Sequence, residues 1–190
     1  MNIYDFWQKH ISKSYFLFKN ILEERLNVKS NDLVLDFGCG TGKYCFLFNP
    51  EKYVGIDVDK KSIDIAKKKF GKYNFIQIKN NQLEFQENYF DLILILGVCH
   101  HINDQDLAIY LKGLYKVLKK KGKIMIIEPI LSKTSTRLNK WMQFVDRGEH
   151  FRYEDDLLIL MSKNFKVKEV DQFITEMFYN EKIYELTKIN

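Results

Sequence analysis

Proline is nearly missing from this chain: two residues in 190, Pro50 and Pro129. No Pro/Gly/Ser-rich linker divides it, and it has neither an internal repeat nor a low-complexity segment. It therefore reads as one domain over 1–190, long enough to bury a full core around a sheet. Cysteine is scarce as well. Cys39, Cys45 and Cys99 are odd in number and lack CxxC spacing, which argues against a disulfide framework or a metal site and for a reducing, cytoplasmic location. The longest apolar run, Leu92 to Val98 with Gly97 inside it, is far too short to span a bilayer. The N-terminus, with Tyr4, Asp5, Phe6 and Trp7, lacks the basic stretch and apolar segment of a signal peptide, so no membrane insertion is expected. Neither sign of charge dominates: 30 Lys and Arg against 25 Asp and Glu leave +5. The Lys67–Lys69 and Lys119–Lys121 clusters read as solvated faces. With no basic stripe among stacking aromatics, a nucleic-acid partner is not expected.

What is present is an alternation of short apolar strands with amphipathic helices. Ile3, Trp7, Ile11, Tyr15, Phe18, Leu22 and Leu26 recur at helical spacing, predicting an N-terminal helical cap over 1–28. A core over 30–130 follows, with strands at Leu33–Phe37, Tyr53–Asp57, Asn74–Ile78, Phe90–Leu96 and Lys123–Glu128, the last stopped by Pro129. Helices are expected from near Thr41, through Ile63, Ala66 and Phe70, and from an N-cap at Asp104 to Leu118. The segment 131–163 reads as a helical insertion, Ser135–Arg147 and Tyr153–Ser162, and 164–190 as an antiparallel strand pair, Phe165–Phe173 and Glu176–Leu186. Such alternation implies an α/β, doubly wound and mainly parallel sheet with helices on both faces.

The chemistry begins at Val34-Leu35-Asp36-Phe37-Gly38-Cys39-Gly40-Thr41-Gly42. A strand delivers an acidic residue, and alternate glycines then turn the chain and admit a ligand against bare backbone. A dinucleotide fingerprint requires a third glycine at 43, where this chain has Lys43. Asp36 stands where NAD or FAD places a pyrophosphate; a carboxylate there repels phosphate and suits a cationic amino-acid moiety. S-adenosyl-L-methionine, with an ammonium and a sulfonium and no phosphate, fits. Asp57, ending the second strand, is suited to accept both ribose hydroxyls in charge-assisted hydrogen bonds.

Taken in order, the glycine-loop motif, Gly55-Ile56-Asp57, Phe90-Asp91-Leu92-Ile93, His100-His101, and Val117-Leu118-Lys119 leading to Gly122 resemble the motifs of class I, Rossmann-like S-adenosylmethionine-dependent methyltransferases. More narrowly they resemble the branch with quinone-biosynthesis and sugar O-methyltransferases. The resemblance covers about residues 30 to 130. It implies a seven-stranded sheet of order 3-2-1-4-5-7-6 with an antiparallel edge strand. It also implies that Asp36, Gly38 and Gly40 hold the methionine end, Asp57 the ribose and Val58 the adenine face, with the Leu96 backbone beside the methionine. Where the family commonly has an acidic residue after the third strand, this chain has Lys79-Asn80-Asn81. Asn80 or Asn81 offers the donor and acceptor needed at the adenine edge.

His100 and His101 follow the fourth strand and Glu128 ends the fifth, so a His paired with Glu128 is the candidate general base, His101 ahead of His100. Successive residues of an extended segment point oppositely, so one His is expected to face the pocket. For Glu128 a buried carboxylate tying down the loop is the competing reading. Asp91 reads as structural. Arg147, His150, Arg152 and Tyr153 lie where an acceptor is bound in this class, or simply link two helices. The expected activity is methyl transfer to a hydroxyl or amine of a small-molecule acceptor. The alternatives are a nucleic-acid or protein methyltransferase, and a cofactor-binding module without chemistry.

Overall fold

The computed structural model describes residues 17–26, 28–79, 82–131, 149–174 and 180–189. Helix α1 covers 17–25. It is followed by β1 (Val34–Phe37), β2 (Tyr53–Asp57), α2 (Lys60–Lys69), β3 (Asn74–Gln77), β4 (Phe90–Leu96), α3 (Asp104–Val117), β5 (Leu118–Ile130), α4 (Glu154–Ser162), β6 (Phe165–Ile174) and β7 (Asn180–Lys188). The strands form one sheet in the order β3-β2-β1-β4-β5-β7-β6, as expected. β1 to β5 pair in parallel, and β7 runs antiparallel to both β5 and β6. β7 thus lies one place in from the edge, which β6 occupies.

The period-two pattern of the central strands sorts the core into two layers. Ile93 and Ile95 of β4, with Ile124 and Ile126 of β5, meet Leu107, Leu111 and Leu114 of α3 and Leu157 and Met161 of α4. Leu92, Leu94, Met125 and Ile127 point the other way, into a layer with Leu22 and Leu26 at the α1 end and Ile63 and Ala66 of α2. Helices therefore cover both faces, and the strand ends are left to carry chemistry.

Several boundaries differ from the sequence expectation. No α-helix starts at Thr41; the chain turns through 38–44 into a 3-10 turn at Cys45–Leu47. Gly40 and Gly42 hold φ of 51° and 75°, and left-handed residues stop a right-handed helix from propagating. Pro129 does not end β5. Pairing with β4 stops at Leu96↔Ile127, while β5 continues against β7 to Ile130, so the proline sits where the β4 side asks for no N–H. The N-cap of α3 is Asn103, whose Oδ1 accepts from the Asp106 N–H at 2.9 Å, not Asp104. The described part of β7 starts at Asn180, and 175–179, which include the expected start at Glu176, are outside the described residues. The predicted helix at 135–147, the start of the N-terminal helix, Asn80, Asn81 and Arg147 also lie outside them. No helix among the described residues is long and apolar enough to cross a membrane.

Candidate active site

β1 pairs with β2 on one side and β4 on the other, so the carboxyl end of β1 is a switch point where chain connections diverge and a crevice opens. The glycine loop there is tied to β2. Gly38 N–H and Cys39 N–H donate to the Ile56 carbonyl at 2.8 and 3.0 Å, and Gly40 N–H donates to Asp57 Oδ2 at 2.8 Å. The other Asp57 oxygen accepts from the Asp59 N–H at 2.8 Å. Capping of α2 falls to Asp59, through the N–H groups of Lys61 and Ser62. At Gly38 (φ 75°) a Cβ would lie 2.5 Å from Val98 Cγ2, whereas at Gly40 (φ 51°) it would meet nothing within 4 Å. The first glycine is needed for close approach; the second fronts open space.

Two cavities flank this loop, and Gly38 and Gly40 line both. The larger, about 380 Å³, has apolar walls from Val58, Ile78, Ile102 and Tyr110, with Asp57 and His101 as its ionisable lining. Val58 is 60% exposed, an apolar side chain held open at the end of β2. The smaller, about 260 Å³, is lined by Asp36, Thr41, Lys43, Tyr44 and Leu96. Asp36 is 2% exposed and accepts from the Tyr53 hydroxyl at 2.7 Å. Burial pushes its carboxyl up to about 6; the Tyr53 hydrogen bond opposes that and the Asp57 charge adds to it. Tyr53 is itself fixed by Phe48, Tyr73 and Phe75, with ring centroids 5.8, 5.5 and 5.7 Å away.

The two histidines occupy a 3-10 turn, Cys99–His101, not an extended segment, and they separate. His100 is buried, and its Nδ1 lies 2.7 Å from Glu128 Oε1. The same carboxylate accepts from the backbone N–H groups of Val98 (3.1 Å), Cys99 (3.0 Å) and His100 (2.7 Å). Glu128 therefore ties the loop down, and the histidine it orients is His100, which stacks on Phe151 with centroids 4.7 Å apart. His101 is the one on the cavity wall. The expected pairing of His101 with Glu128 is not made, because the turn aims Nδ1 of His100 at the carboxylate first.

Arg152 turns inward, onto Asp104 and backbone carbonyls, and so is not available to an acceptor. Asp91 is structural as expected, accepting from Leu33 N–H and Lys119 Nζ. Among the described residues no group of three or more His, Cys, Asp and Glu is arranged to hold a metal. The sequence reading did not include Ile78, Ile102 and Tyr110. Ile78 follows β3 directly, a position that strand order alone points to; Tyr110 sits deep in α3 and carries no local signal.

Residues 28–184 match the family described as a methyltransferase domain. The chain belongs to this methyltransferase family. It is 32% identical over 116 residues to the demethylmenaquinone methyltransferase of Lactobacillus johnsonii, covering 55% of this chain and 47% of that protein. It is 28% identical over 130 residues to "Probable tRNA methyltransferase 9B" of Mus musculus, covering 68% and 28%. The methyltransferase thus spans about half or less of the length of these curated relatives. Its fold is shared with a crystal structure of geranyl diphosphate C-methyltransferase from Streptomyces coelicolor, solved with S-adenosyl-L-homocysteine: TM-score 0.71 at 9% identity, covering 91% and 80%. S-adenosylmethionine is the cofactor that the sequence motifs of this methyltransferase imply. The residues present fit it: each cavity carries a carboxylate, one suited to an ammonium and one to vicinal hydroxyls, and Gly40 leaves open the space a Cβ would fill.

Proposed function

We propose that this methyltransferase acts in the cytoplasm on a hydroxyl or amine of a small-molecule acceptor, with His101 as its general base. The observation that carries the reading is the pair of cavities on either side of Gly38 and Gly40, apolar with Asp57 on one side and lined by Asp36 on the other. In this reading Val58, Ile78 and Ile102 enclose the adenine, Asp57 accepts from the ribose hydroxyls, and Asp36 and Lys43 receive the ammonium and carboxylate of the methionine end beside Leu96. Asn80 or Asn81, both outside the described residues, is proposed for the adenine edge. When bound, S-adenosylmethionine supplies an electrophilic methyl group on a sulfonium. The chain's own part is to align the reactants and, for a hydroxyl, to take its proton. His101, on the cavity wall next to Gly97 and Val98, is suited to that; His100 and Glu128 hold the loop that carries it.

Similarity to a demethylmenaquinone methyltransferase supports a small acceptor, and similarity to proteins named ubiquinone/menaquinone biosynthesis C-methyltransferase extends the candidates to carbon. Similarity to a protein named for tRNA favours a second reading, a nucleic-acid acceptor. Methyl-labelled cofactor offered with panels of phenols, quinols, sugars and amines, and in parallel with bulk tRNA, separates them. Label in a small acceptor is expected; label in tRNA alone overturns the proposal. With the acceptor found, His101→Ala should lower kcat by about 10²-fold or more at saturating cofactor. A variant keeping more than about a third of wild-type kcat removes His101 as the base.

A further inference from the structure

The inward turn of Arg152 has a target. Its side chain is 7% exposed, and its guanidinium donates through Nη1 to the Cys99 carbonyl (2.7 Å) and the His150 carbonyl (3.1 Å), through Nη2 to the Ile102 carbonyl (2.5 Å), and through Nε to Asp104 Oδ1 (2.8 Å). Cys99 and Ile102 bracket the 3-10 turn that presents His101, and His101 and Ile102 both line the larger cavity. Two neighbours of Arg152 grip the same turn: His150 N–H donates to the His100 carbonyl at 2.9 Å, and the Phe151 ring stacks on His100. The Cys99 carbonyl closes the turn by accepting from Ile102 N–H at 3.1 Å and takes Arg152 as a second donor, while the Ile102 carbonyl lies at the C-cap, past the turn's last internal bond. One planar, fixed-geometry fork satisfies them here, which a lysine point charge cannot reproduce.

We propose that Arg152 is a positioning residue for the cofactor cavity: by clamping the Cys99 and Ile102 carbonyls it sets the His101–Ile102 wall, and it couples residues 150–152, which lead into α4, to occupancy of that cavity. This rests on the reading of the larger cavity as the nucleoside site. The Asp104 ion pair is secondary, because that carboxylate is 73% exposed and screened by solvent. The carbonyl clamp, being buried, carries the effect.

The test is calorimetric titration of S-adenosylhomocysteine into wild type, Arg152→Lys, Asp104→Asn and Asp57→Ala. Arg152→Lys should bind at full stoichiometry with Kd raised about tenfold, the scale of one charge-assisted hydrogen bond. Asp104→Asn should stay within about twofold of wild type. A reduced stoichiometry at unchanged Kd would mean that Arg152 only helps the chain fold. Loss of affinity in Asp57→Ala with none in Arg152→Lys overturns the clamp and leaves the site reading standing. No loss in Asp57→Ala overturns the site reading itself. A second measurement needs no variant. Coupling is reciprocal, so S-adenosylhomocysteine should slow hydrogen exchange at the His150 amide of wild type, although that residue does not line the cavity; unchanged exchange there refutes the coupling.

Discussion

Replacing Asp36 by Asn should make the ligand-free protein more stable and unable to hold its cofactor. The carboxyl's value of about 6 stands about two units above the ordinary 3.8, chiefly through burial. At about 1.4 kcal/mol per unit, holding the charge in the fold at pH 7.5 costs about 3 kcal/mol. The sign follows from which state binds the proton more tightly. The folded state does, so this group's favourable contribution is complete below the unfolded value near 4 and is lost as pH rises through about 6. Asn cannot ionise, yet its side-chain oxygen still accepts from Tyr53. In urea unfolding between pH 4 and 8, the stability advantage of Asp36→Asn should therefore grow from near zero to about 3 kcal/mol, most of it gained between pH 4 and 6. An advantage that does not vary with pH, or an Asn variant less stable at pH 7.5, refutes the reasoning. The companion variant works through Tyr53, whose hydrogen bond at 2.7 Å holds the carboxyl down. In Tyr53→Phe the pH midpoint of S-adenosylhomocysteine affinity should move up, and an unmoved midpoint would deny that bond its part.

Two further variants probe the loops that frame the cavities. Gly38→Ala combines φ of 75° with a Cβ 2.5 Å from Val98; we expect it to cost at least about 2 kcal/mol in urea unfolding and to abolish cofactor binding by calorimetry, and a loss under about 0.5 kcal/mol would show that the loop yields easily. Glu128→Gln sets a side-chain NH2 against donors, since the carboxylate accepts from three backbone N–H groups and His100 Nδ1; the expected cost is about 2–4 kcal/mol, and a variant as stable as wild type would deny it the anchoring role.

What the sequence made legible was what is local and contiguous. Asp36 through Gly42 form one motif whose strand, turn and acid lie within seven residues, and Gly55 to Asp57 repeat the logic on the next strand. The sheet order followed from the family resemblance those motifs carried. Features decided by distant partners were not legible. Whether His100 or His101 meets Glu128 depends on a 3-10 turn, and the alternation of an extended chain gives no guide to it. Pro129 looked like a strand end, because nothing in the sequence tells how far β4 reaches beside it. Arg152 read equally as an acceptor contact or as part of a linker, because the partners that decide it, Asp104, Ile102 and Cys99, lie 48 to 53 residues away.

The bonds that tie the glycine loop to β2 also decide which ligands are refused. Nucleotide-binding loops of related architecture hold phosphate with a row of inward-facing backbone amides at a helix N-terminus. Here the amides of Gly38, Cys39 and Gly40 are already spent on the Ile56 carbonyl and the Asp57 carboxylate, and the turn after Gly40 does not open an α-helix. A dinucleotide entering this crevice would meet a carboxylate where it needs a donor and would have no helix dipole to settle on. Discrimination against phosphate thus comes from withheld donors, a form of selectivity fixed before any ligand arrives.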